Sequence, residues 1–179
     1  MSREIVIHVI ITAIFLVVSL LFGVLPPGAE PYVLMFCPIL FFSVLTGILC
    51  GPLYALALGV TAPFLYHFLF ESVPLVPETV TLAVSAGLSG LVSGIFYELF
   101  FTSVGSSLGG ILTWLMAFGM TKFICLLTLG ESYFILNYIS DTFVAVWPGL
   151  VTTLILVPVV TVFLRKRGAM WVLRHERDS

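Results

Sequence analysis

Lys122 is a single ammonium inside an otherwise apolar run from Leu108 to Leu129, in a chain of 179 residues. A charge held at mid-membrane costs roughly 3 kcal/mol on insertion scales, so it faces a partner, a cavity or a bound molecule. If its helix closes at Leu129, Lys122 lies about 10 Å below that end at 1.5 Å per residue. Two readings follow. Lys122 contacts an anionic or carbonyl group of a captured molecule, or it is internal to the protein, paired with Glu78, Glu131 or Asp141 or snorkelling to an interface.

Around it stand other polar groups. Glu131, Asn137 and Asp141 follow Gly130 and precede the last apolar run. With Lys122 and Glu78 they are able to line a polar pocket, though Asp141 also suits the N-cap of a helix. Tyr66 and His67 close the third apolar run beside Glu71; a lone His there is more often a structural hydrogen-bonder than a ligand. Trp114 lies mid-run, too deep for an interface anchor, and either stacks on a bound molecule or packs in the bundle. Tyr32, Tyr133, Tyr138 and Trp147 read as interface aromatics, and His8 and Glu98 as structural or interfacial groups.

No constellation for catalysis accompanies these residues. H-E-x-x-H, G-x-S-x-G and paired intramembrane carboxylates are absent, so an enzyme is not expected. There is no Walker A motif, so any ATP-driven work must come from partner ATPases. The three cysteines, Cys37, Cys50 and Cys125, lack metal-ligand spacing. No metal or covalently bound cofactor is expected. A net charge of −2 carries no hint of nucleic-acid binding.

The elements that must position these groups are apolar helices. The chain is 60% hydrophobic and 9% charged, with a mean hydropathy of +1.22, whereas a soluble domain carries about 25% charged residues. Runs of roughly 20 apolar residues suffice to cross a bilayer. The pattern predicts six spans, at about 5–25, 33–50, 53–70, 79–99, 108–129 and 142–164, with kinks at Pro63, Pro148 and Pro158. The first is too long for a signal-peptide core and is expected to be retained. Arg3 precedes the first span, and Arg165, Lys166, Arg167, Arg174 and Arg177 follow the last in a short basic tail, 165–179. Both termini are therefore expected in the cytoplasm. The expected fold is all-α, one compact six-helix bundle in a prokaryotic plasma membrane.

Small residues crowd the middle of the chain: Ala55, Ala57, Gly59, Ala62, then Ala83, Ala86, Gly87, Gly90 and Gly94. Such residues let helices approach closely, within the bundle or against another membrane protein. The order Gly51-Pro52-Leu53-Tyr54-Ala55, Ala62-Pro63-Phe64-Leu65, a proline-bearing loop Glu71–Pro74, then Gly90-Leu91-Val92-Ser93-Gly94-Ile95-Phe96-Tyr97 resembles the S components of energy-coupling factor (ECF) vitamin transporters. The resemblance covers about a third of the chain. It implies a high-affinity binder of a small water-soluble vitamin or precursor at an outward-facing pocket. It also implies docking on a membrane-embedded coupling protein with two cytoplasmic ATPases. Phe36-Cys37, Tyr66 and Ser85 depart from the family pattern at positions that define cargo. The Ala-x-x-x-Ala docking surface of the first helix is half present, as Ala13 and Val17. Lys122 favours a carboxylate-, phosphate- or carbonyl-bearing cargo, such as pantothenate or a B6 vitamer. The rival reading is a non-transporting six-helix scaffold of the cell envelope.

Overall fold

The computed structural model describes residues 3–22, 37–70, 78–129 and 135–166. They form six helices: α1 (Arg3–Leu21), α2 (Pro38–Cys50), α3 (Pro52–Phe70), α4 (Val80–Phe100), α5 (Ser103–Leu129) and α6 (Ile135–Lys166). Four of them, α3 to α6, contain stretches long and apolar enough to cross a bilayer; the apolar parts of α1 and α2 are shorter. Outward-facing side chains such as Met116 and Leu53, 77% and 74% exposed, would be costly in water and are at no disadvantage against lipid tails. These features are the signature of a membrane protein.

Local chemistry fixes the helix ends, and several differ from the sequence expectation. The second helix starts at Pro38 rather than near 33. Proline has no N–H to leave unsatisfied, is pre-set for a first helical position, and disfavours helical geometry in the residue before it. Cys37 leaves the right-handed helical region for the left-handed one (φ 44°), while its carbonyl accepts from Leu40 and Phe41 N–H at 3.0 and 3.2 Å. Helix α5 begins at Ser103, five residues before the expected 108. There the Ser106 and Ser107 hydroxyls donate to the Thr102 and Ser103 carbonyls at 2.8 Å each. Helix α6 starts at Ile135, seven residues before the expected 142, and runs 32 residues through Pro148 and Pro158. Asp141 is therefore inside a helix and not its N-cap. The first helix ends at Leu21, and the expected 22–25 extension lies, beyond Phe22, outside the described residues, as does the basic tail after Lys166.

Helix α2 is the axis. It is the shortest, 13 residues, yet it touches each of the other five. Around it the neighbours run α1, α3, α4, α5, α6, each packed on the next except across α1 and α6, which share no substantial contact among the described residues. The core cluster draws Leu40, Val44 and Ile48 from α2, Ile111, Trp114 and Phe118 from α5, and Val146, Leu150 and Val157 from α6.

Glycine sets how closely these helices meet. Gly51 alone separates α2 from α3, at φ 104°, a region that side chains avoid. A methyl added at Gly47 would collide with the backbone of Gly90 and lie 2.9 Å from the Gly94 nitrogen; at Gly59 it would lie 2.6 Å from the Ala86 backbone. The small-residue stripe of α4 is thus buried inside the bundle. Ser43 pins the same junction, its hydroxyl donating to the Ala86 carbonyl of α4 at 2.7 Å, with a longer contact to Ala55 of α3 at 3.3 Å.

Candidate functional site

The register of α2, α4 and α5 places the polar groups. A methyl at Gly110 would stand 3.0 Å from Val44 Cγ2 and 3.1 Å from Ser93 Cβ, so these three residues share a level. From there α2 climbs only to Pro38, about 9 Å at the helical rise. Helices α5 and α4 climb farther, to Lys122 and Thr81, both about 18 Å from the shared level. Lys122 therefore stands about 9 Å beyond the start of the central helix. Leu40, Ser89 and Trp114 form an intermediate layer, each one helical turn above the shared level.

At the upper level Lys122 is 2% exposed and its Nζ donates to Glu78 Oε1 at 2.8 Å. Glu78 is 24% exposed, so the pair has a buried cation and an anion that reaches solvent or headgroups. Glu78 and Thr79 form a π-helical turn leading into α4, a local widening that often marks function. Of the internal partners that sequence alone left open for Lys122, the structure brings Glu78 to it. Glu131 lies outside the described residues. Asn137 and Asp141 are on the first turns of α6, and their side chains are outside the described part of the structure.

Trp114 is 1% exposed and stacks on Phe118, with ring centroids 4.8 Å apart and planes 19° from parallel. Tyr66 and His67 are half-buried at the end of α3, in ring contact with Phe70 and Phe68. Helix α3 packs on α1, α2 and α4 and not substantially on α5, so these two residues belong to a different flank from Lys122. Ala13 and Val17 sit on the outward face of α1, Val17 being 56% exposed. His8 packs edge-on against Tyr54, at 5.4 Å, near the Gly51 end.

Sequence reasoning singled out Trp114 but missed three buried hydroxyls, those of Thr81, Ser89 and Thr153. Thr81 Oγ1, Ser89 Oγ, Trp114 Nε1 and Thr153 Oγ1 are buried and have no hydrogen-bond partner among the described residues. Most of the other small hydroxyls bond back to the preceding turn, as Thr46 does to Phe42 O and Thr161 to Val157 O, both at 2.7 Å. That is the usual resolution for Ser and Thr in apolar helices. A buried polar atom left without a partner costs about 1–3 kcal/mol. Hydroxyls isolated in apolar runs were the available signal, but sequence cannot separate those that back-bond from those that do not. Among the described residues no group of three or more His, Cys, Asp or Glu is arranged to hold a metal.

No protein-family model, curated protein or solved structure matches this chain.

Proposed function

We propose that this chain is a solute-binding membrane subunit. In this reading it spans the bilayer six times with both termini cytoplasmic, and captures a small water-soluble nutrient with an anionic group at the Lys122 end. It then delivers that nutrient inward when docked on an ATP-driven coupling module, as the S components of ECF transporters do. The observation that carries the reading is the buried Lys122 ammonium, held by a carboxylate that is itself partly exposed, where the central helix has already ended. An incoming carboxylate or phosphate exchanges with Glu78 at the ammonium, and the charge that would be costly in lipid becomes the recognition element. Sidedness follows from Arg3, Arg165 and Lys166, and lack of an ATPase motif makes the coupling proteins necessary partners. The motif order from Gly51 to Tyr97 supports the family reading.

Native mass spectrometry of the purified protein, with co-purification from its own membranes, tests this. A retained vitamin-sized acid together with a coupling protein and ATPases is the expected result. A chain that retains no small molecule and brings down only envelope proteins is a scaffold, and the proposal then fails.

A further inference from the structure

Lys122 is 2% exposed, so a solute reaches its ammonium only when part of the surrounding protein moves aside. Helices α2, α3 and α4 are locked together by their glycine contacts. Helix α6 is built differently. Its 32 residues make about 48 Å of helix, whereas a hydrocarbon core takes about 20 residues. Counted from Leu164, the last apolar residue before Arg165 and Lys166, that span reaches back to about residue 145. Residues 135–144 therefore rise beyond it. Residues 130–134 alone join Leu129 to Ile135, so this arm stands on the same side as the Lys122-bearing end of α5.

At the base of the arm Pro148 is followed by Gly149, the two residue types least suited to a helix interior. Pro148 has no N–H, so the Val144 carbonyl lacks its donor four residues on. The Thr152 hydroxyl donates to the Pro148 carbonyl at 2.8 Å, a back-bond of the kind that bends helices. Packing thins toward the same end. Among the described residues α6 packs substantially on α5 and α2 alone, and α2 stops at Pro38, about 9 Å short of Lys122. Beyond the end of α2, α6 is left with α5 alone. A segment with few packed neighbours is the kind that opens locally.

We infer that residues 135–147 form a gate that bends outward at Pro148 and opens a path from the surface to Lys122. The inference rests on the proposed solute capture and supplies the movement that capture requires. The Lys122–Glu78 pair is then the closed state, and the α2–α3–α4 junction stays fixed while the arm moves.

The chain contains two lysines, Lys122 and the exposed Lys166, so the opening is measurable without a known solute. Trinitrobenzenesulfonate, a water-soluble amine reagent, is added to the detergent-purified chain, and each lysine is followed by peptide mass spectrometry. Lys122 should react more slowly than Lys166 but to completion. Pro148→Ala, which restores the missing N–H, should slow Lys122 at least about 10-fold further and leave Lys166 unchanged. Pro158→Ala, deeper in the span, should leave both rates as in wild type. Lys122 reacting as fast in Pro148→Ala as in wild type would overturn the gate and leave the capture reading standing. Equal slowing by Pro158→Ala would overturn it too, because the effect would then be general stiffening of α6. If wild-type Lys122 stays unmodified after Lys166 is consumed, no path reaches the ammonium, and gate and capture both fall.

Discussion

The two ends of the bundle are held together by opposite means. Toward Gly51, helices α2, α3 and α4 touch backbone to backbone through Gly47, Gly59, Gly90 and Gly94, and Ser43 ties α4 and α3 to α2 by its hydroxyl. Toward Lys122, α2 is absent, α4 widens into a π-turn at Glu78 and Thr79, and contact between α4 and α5 passes through an ion pair. The first end is closed by shape, and the Ser43 hydroxyl is satisfied inside the fold there. The second holds a buried cation paired with a partly exposed carboxylate. A membrane bundle gains little from the hydrophobic effect between helices, so close packing is what stabilises it.

Substitutions can break or sharpen this contrast. The largest effect is expected from Glu78→Leu, which leaves Lys122 buried without its carboxylate. Loss of one member of a buried pair costs roughly 3–5 kcal/mol, and SDS-titration unfolding in mixed micelles should register it. An unchanged midpoint would mean that the pair contributes nothing to holding the Lys122 end. Next is Gly47→Ala, whose methyl meets backbone that cannot rotate away; overpacking of this kind costs about 1–3 kcal/mol. It should lower the unfolding midpoint without changing which small molecules the protein retains. Ser43→Ala should follow at about 1–2 kcal/mol, the cost of a lost buried hydrogen bond whose acceptors remain. Met116→Leu, on the outward face of α5, should stay within roughly 0.5 kcal/mol of wild type by the same titration. If Met116→Leu rivals Gly47→Ala, the glycine contacts are not what closes the first end.

The helical class and the six helices of the described residues were legible in the sequence, because apolar runs of bilayer length separated by Gly, Pro and charge leave few alternatives. Helix ends were less so. Pro38 shortens α2 through a steric rule that could be read locally, but hydrophobicity carried the expected span past it to 33. Ser103 to Ser107 look like a turn by composition yet are helical, with the Ser106 and Ser107 hydroxyls bonded back to the preceding turn. That Glu78 pairs with Lys122 was not legible at all. It depends on the register of α4 against α5, set by contacts such as Gly110 against Ser93, which no local pattern encodes. For the same reason Tyr66 and His67, grouped with Lys122 by their position near the same end of a span, fall on another flank once α4 stands between them and α5.

The central claim is that the Lys122 ammonium holds the anionic group of a captured nutrient. Calorimetric titration of wild type and Lys122→Met with pantothenate and pyridoxal phosphate tests it most directly. One of these acids should bind wild type with sub-micromolar affinity and Lys122→Met at least about 10-fold more weakly, the loss of one charge-assisted contact. Equal affinity in a folded Lys122→Met protein, or no binding of either acid by wild type, would contradict it.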